Sequence, residues 1–183
     1  MGGLKYHSAL KDELDLKELD FYKKENKIVF KHDINDGVHK LFYNADCIYI
    51  EPAWRAGYEK FLKRAGTTSC SFNGYLDNIK NTIRKLEKPA FVVAGKHMLK
   101  RLDADSVKEI KLHGYSSYLC IYNYDVNYEF NTNYDVIKWV SNEFDCVLDF
   151  CCGYGNTLMG FDKFIASDIN GKCVYYVAKN IIK

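Results

Sequence analysis

Proline is nearly absent from this chain. Pro52 and Pro89 are the only two in 183 residues, so no proline-rich or low-complexity segment interrupts the pattern. No two of the seven cysteines stand at C-x-x-C spacing. An odd number, with Cys151 and Cys152 adjacent, argues for reduced thiols rather than a disulfide frame or a zinc site, and no metal ligand is assigned. No apolar run reaches the length of a membrane span, and the residues from Met1 onward lack a signal-peptide core. No membrane contact and a cytoplasmic location are therefore expected. The formal net charge is only +2. Such a balance neither requires nor forbids a nucleic-acid partner, because local patches outweigh the sum.

What is present reads as one domain. The apolar and charged fractions, 48% and 27%, are ordinary for a globular protein, and the length supports a sizeable core. ALKDELDLKELDFYKK, from Ala9, has apolar residues at helical spacing. Strands are expected at Lys27–Ile34, Asp46–Ile50 and from Ala90, Cys146 and Phe164. Helices are expected over Gly57–Ala65, from Tyr75 to just before Pro89, over Tyr134–Phe144 capped by Asn133 or Thr132, and through Tyr176 and Ala178. Asp103–Glu109 is expected to make a helical turn or two. Two further strands flank a turn at Gly114. Strands alternating with helices imply an α/β, Rossmann-like architecture, a mostly parallel sheet with an antiparallel edge hairpin. Ligands in such sheets bind beyond the carboxyl ends of the strands.

Three stretches end at those tips. VLDFCCGYGNT, Val147 to Thr157, is a strand, an acid and a G-x-G loop. Gly153 and Gly155 let the backbone turn sharply and approach a ligand. FIASDI follows, and Asp168 at its end suits acceptance from two ribose hydroxyls. The simpler alternative is a tight turn with a helix-capping aspartate. The loop lacks the G-x-G-x-x-G spacing of a dinucleotide site, and Asp149 before the glycines would repel phosphate. It would welcome an ammonium, so charge logic favours S-adenosylmethionine over NAD. DCIYIEPAW, Asp46 to Trp54, sets a carboxylate, a fixed backbone and an indole at the third tip. It reads either as an amine-holding device or as a strand end with a capping acid and a core tryptophan.

Together these residues resemble class I S-adenosylmethionine-dependent methyltransferases. VLDFCCGYGNT is similar to the D-P-F-x-G-x-G-T-T loop of the amino-group DNA methyltransferases, N6-adenine and N4-cytosine, with Asp149, Gly153, Gly155 and Thr157 matching. SDIN resembles their ribose-binding strand end, and EPAW resembles their catalytic D/N-P-P-W/Y/F. Glu51 and Ala53 depart from that tetrapeptide. EPAW precedes the glycine loop, so the resemblance implies a circular permutation, opened between the second helix and the third strand. It also implies one methyltransferase domain over 1–183: an N-terminal helical segment or lid to 25, a catalytic-motif half over 26–130 and a cofactor half over 131–183.

The resemblance implies catalytic roles for Glu51, Pro52, Ala53 and Trp54. Glu51 and a backbone carbonyl would accept the amine N–H groups, and Trp54 would stack on the base. Cofactor contacts fall on Asp149, Phe150, Cys151, Gly153, Gly155, Asn156, Thr157, Asp168 and Ile169. Asp33 and Ile34 would meet the adenine of the cofactor; Asp33 also reads as a turn aspartate before Asn35-Asp36-Gly37. The expected reaction is methyl transfer to an exocyclic base amine, adenine N6 in DNA before RNA or cytosine N4. Arg55, Lys60, Lys63 and Arg64 would hold backbone phosphates. The basic series on the helix from Tyr75 reads as a solvated face, and the tyrosines from Tyr115 to Tyr128 as packing. There is little room for a sequence-recognition region, which implies a recognition subunit or a homodimer. The rival reading is a degenerate pseudo-methyltransferase serving as a nucleic-acid platform or partner subunit. Glutamate at the position of Glu51 also occurs in non-catalytic partners of RNA adenine methyltransferases.

Overall fold

The computed structural model describes residues 17–66 and 70–182. One sheet of eight strands organises them: β1 Phe21–Lys24, β2 Lys27–Lys31, β3 Cys47–Ile50, β4 Ala90–Ala94, β5 Ser106–Leu112, β6 Tyr115–Tyr122, β7 Val147–Asp149 and β8 Phe164–Asp168. Their spatial order is β1-β2-β8-β7-β3-β4-β6-β5. The five strands from β2 to β4 in that order are parallel. Antiparallel partners close both edges, β1 on β2 and the β5–β6 hairpin on β4.

Strand periodicity assigns each side chain to a face. Ile48, Ile50, Leu148 and Val92 pack on one side, with Leu76, Ile79 and Ile83 of α2 (Phe72–Leu86) and Tyr58 of α1 (Arg55–Ala65). Cys47, Tyr49, Val147, Phe164 and Ala166 pack on the other. That side is covered by Val136 and Val140 of α4 (Asn133–Glu143) and by Val174 and Val177 of α5 (Gly171–Asn180). A short helix, α3, spans Leu99–Leu102. Both faces are therefore buried, as continuous apolar runs such as AFVVA require.

Two local expectations are corrected. The helix from Ala9 lies partly outside the described residues, and its last part is not helical. Phe21–Lys24 forms β1, turning back at Glu25-Asn26, with Glu25 in the left-handed region at φ 51°. Pairing of all four β1 residues with β2 outweighs the helical spacing. The turn expected at Asp103–Glu109 sits earlier, in α3. Asp103, at φ 53°, ends it, and Ser106–Leu112 pairs with β6 over its full length. Here seven cross-strand pairs override a weak local propensity.

Neighbouring β7 and β3 feed connections that diverge. β7 leads to β8 on one side, whereas β3 leads to β4 on the other. A crevice opens at the carboxyl ends where such connections part. None of the described helices is long and apolar enough to cross a membrane.

Candidate active site

The crevice holds a cavity of about 250 Å³. Glu51 and Ala53 line it from the end of β3, Asp149 to Gly153 from the end of β7, Asp168 and Ile169 from the end of β8, and Asp33 and Ile34 from the end of β2. Tyr58 and Leu62 of α1 and Tyr75 of α2 form the far wall.

The three acids share a face. Glu51 follows Tyr49 by two positions, Asp149 follows Val147, and Asp168 follows Ala166, so all three belong to the set facing α4 and α5. Asp149 is 2% exposed. Its Oδ1 accepts the Cys151 N–H at 3.0 Å and its Oδ2 the Thr157 hydroxyl at 2.9 Å. Asp168 is 3% exposed and accepts the Gly153 N–H at 2.8 Å and the Asn170 N–H at 2.9 Å. These bonds favour the ionised forms, but burial outweighs them. Burial, with added repulsion from Glu51 and Asp168, pushes the Asp149 carboxyl up to about 7. Burial likewise pushes Asp168 up to about 6. Glu51 is also raised by burial, against hydrogen bonds from Asn133 and Tyr49. Three acids in one small crevice are poised for a cation.

The two glycines do different work. Gly153 has φ +50°, and a Cβ there would stand in open space beside the cavity. Gly155 has φ +74° and lies away from the cavity lining. A Cβ on it would meet Val177 Cγ2 at 2.9 Å, so the residue lets the loop seat against α5. Asn156 and Thr157 line the cavity, as do Phe150 and Cys151. Asp33 both lines it and caps the turn that follows, accepting from the Asn35 backbone at 2.9 Å and the Asn35 amide at 2.7 Å.

The EPAW segment is split between two concavities. Glu51 and Ala53 face the cavity; Pro52 is buried. Trp54 instead lines a shallow open depression with Arg55, Glu59 and His97. The Trp54 and His97 rings close over Gly95, where a Cβ would meet them at 3.7 and 3.0 Å. Lys60 and Lys63 are exposed on α1, and Arg64 falls in the same helix. Among the tyrosines expected as packing, Tyr122 is buried and Tyr124 sits among Phe91, Trp139 and Phe144, whereas Tyr115 and Tyr128 are exposed.

Several residues escaped the sequence reading. The Tyr75 hydroxyl accepts the Ala53 N–H at 3.2 Å and donates to Cys151 Sγ at 3.4 Å, joining the two walls. Asn133 Nδ2 donates to Glu51 Oε1 across the sheet end. The Tyr49 hydroxyl lies 2.5 Å from Asn133 Oδ1 and 3.2 Å from Glu51 Oε1. Strand alternation was the one available signal for the last, since it puts Tyr49 and Glu51 on one side. Comparison with protein-family models, curated proteins and solved structures finds no match to this chain.

Proposed function

We propose that this chain is a circularly permuted class I methyltransferase that moves the methyl group of S-adenosylmethionine to the exocyclic amine of a nucleic-acid base, adenine N6 in DNA. The observation that carries the reading is the single cavity into which Glu51, Asp149, Asp168 and Asp33 converge from four strand tips. Topology supports it. Read from β7 through β8 and then from β2 to β4, the parallel strands stand in the order 3-2-1-4-5. That is the order of doubly wound nucleotide-binding sheets, with the cavity at the switch point.

The residues fit the cofactor. Two buried acids and the half-buried Glu51 ask for positive charge, and a sulfonium with an α-ammonium brings it. Open space over Gly153 leaves room for a ligand against the loop backbone. Asp149 and the 153–157 loop would hold the amino-acid end, Asp168 the ribose, and Asp33 with Ile34 the adenine. When bound, the cofactor supplies an electrophilic methyl: as the amine nitrogen bonds it, the S–C electron pair returns to sulfur and a proton must leave nitrogen.

Glu51 is the group that accepts from that nitrogen. Freeing its lone pair from the ring needs acceptors for its N–H groups, and a carboxylate at the cavity wall is one. Trp54, in the adjoining depression, offers a face for the base. Base–aromatic stacking is worth about 1–3 kcal/mol, comparable with the cost of extruding a base. Arg55, Lys60 and Lys63 would contact the backbone on either side.

The test is transfer of labelled methyl to unmethylated DNA and RNA, with calorimetric binding of S-adenosylmethionine beside it. Incorporation that is lost in Glu51→Ala and Trp54→Ala, and binding that is lost in Asp168→Ala, is the expected result. Binding without transfer to either nucleic acid turns the reading to a non-catalytic platform, and absence of binding removes both.

A further inference from the structure

Glu51 does not stand alone. Both hydrogen bonds to its carboxyl fall on Oε1, one from Asn133 at the first position of α4 and one from the Tyr49 hydroxyl. Oε2 makes none among the described residues. Asn133 is 8% exposed, and Tyr49 is fully buried. The single Tyr49 hydroxyl proton is shared between Glu51 Oε1 and the nearer Asn133 Oδ1, so three side chains from β3 and α4 close a small polar ring at the cavity wall. Nothing about capping α4 requires it. Thr132 fills that role, with its hydroxyl accepting the Asp135 N–H at 3.2 Å and Asp135 accepting the Thr132 N–H at 2.9 Å.

Side-chain length explains the ring. An aspartate at 51 would be one methylene shorter and could not span to Asn133 while keeping its place at the strand tip. A glutamate without an anchor would have an extra rotatable bond and would sample several positions. Tethering Oε1 to α4 removes that freedom and leaves Oε2 as the working oxygen.

We propose that Asn133 is a positioning residue for Glu51, and that with the Tyr49 hydroxyl it makes glutamate rather than aspartate the required acceptor in this cavity. The proposal rests on the methyl-transfer reading, because it is the amine N–H that Oε2 is placed to receive. The groups facing the ring include Asp149 across the cavity and His113 on the β5–β6 turn, which acts on Glu51 through its charge.

The experiment compares wild type with Asn133→Ala, Tyr49→Phe, Glu51→Asp and Thr132→Ala in the labelled-methyl assay, with kcat and KM measured across pH. Misplacing a reacting group by about 1 Å costs around 100-fold. Asn133→Ala and Glu51→Asp should therefore lower kcat by about 10–100-fold with little change in KM. Asn133→Ala and Tyr49→Phe should also move the acid limb of the kcat profile upward, since both hydrogen bonds favour the ionised carboxyl. Thr132→Ala removes the helix cap and should lower thermal stability without moving that limb. Full activity in Glu51→Asp, or an Asn133→Ala profile indistinguishable from that of Thr132→Ala, overturns the proposal.

A second readout does not depend on turnover. Carbon-13 NMR of side-chain-labelled glutamate, with the Glu51 signal assigned from Glu51→Gln, follows the carboxyl directly. Its titration midpoint should rise in Asn133→Ala and Tyr49→Phe. If the wild type transfers no methyl but the two variants show this rise, the functional reading falls and the tether stands. An unchanged midpoint sinks the tether itself.

Discussion

Tyr75 reaches across the cleft to Ala53, its hydroxyl accepting the Ala53 N–H at 3.2 Å. The same oxygen donates to Cys151 Sγ, so one side chain of α2 sets the spacing between the EPAW loop and the glycine loop. Its ring stacks on Tyr58 with centroids 4.7 Å apart, and that contact survives removal of the hydroxyl. Tyr75→Phe should then leave the fold intact and deprive the half-buried Ala53 N–H of its partner. The expected loss is about 0.5–1.5 kcal/mol of unfolding free energy. Urea denaturation measures it, and an unchanged midpoint would show that the loops are spaced by something else. S-adenosylmethionine affinity should weaken in the same variant, because the two walls are no longer tied.

Cofactor binding should depend on pH with a definite sign. Asp149 and Asp168 titrate near 7 and 6 in the folded chain, against about 3.9 when unfolded. Between about pH 4 and 7 the folded protein therefore holds more protons than the unfolded one, and these two groups make the apoprotein less stable as pH rises through that window. A cationic ligand acts in the opposite direction, because it favours the carboxylates. Affinity should climb through about pH 6–7 and then level off, with protons released on binding. Calorimetry in two buffers of different ionisation heat reads that release directly. Binding that takes up protons, or ignores pH altogether, is incompatible with an acid-lined cation site.

The paired glycines should separate function from stability. Gly155→Ala forces a Cβ against Val177 and Ile181 and keeps a left-handed φ. Strain of about 1–2 kcal/mol adds to overpacking of about 1–3 kcal/mol. Gly153→Ala carries the strain alone, since its Cβ enters open space, but that space is where the cofactor would lie. Thermal unfolding should rank Gly155→Ala as the more damaged protein. Cofactor affinity per folded molecule should rank Gly153→Ala as the weaker binder. The reverse ordering would show that the loop faces the other way.

The strand tips were legible because their signals are local. A β-branched run ending in an acid and glycines marks its own turn, and alternation of strands with amphipathic helices sets the sheet. The grouping of Asp33, Glu51, Asp149 and Asp168 then follows from parallel strands delivering their carboxyl ends to one side. What could not be read depends on pairing at a distance. FYKK at the sheet edge has helical spacing and becomes a strand only because β2 is there to receive it. Trp54 is three positions from Glu51 in sequence, but at the start of α1 it lines the adjoining depression with His97 rather than the cavity itself. The tether from Asn133 requires knowing which helix covers the Tyr49 face, and no short motif encodes that.

Nucleic-acid affinity should reside on α1 rather than α2. Arg55 lines the Trp54 depression, and Lys60 and Lys63 are exposed further along α1. On α2, Arg84 is engaged with Asp103 at 3.0 Å, in a solvent-exposed pair. Each phosphate contact contributes about 0.7–0.9 to the slope of log K against log salt. Replacing Arg55, Lys60 and Lys63 together by alanine should therefore flatten the slope by about 2–3, measured by fluorescence anisotropy of labelled oligonucleotides between about 50 and 200 mM salt. Replacing Lys80, Arg84 and Lys85 should change it by less than about one contact. Single-stranded and duplex probes of one sequence, run side by side, show whether the basic helix tracks an unpaired strand. Equal losses from both helices would mean that charge is sensed over the whole surface and that the segment following EPAW has no special part in holding the substrate.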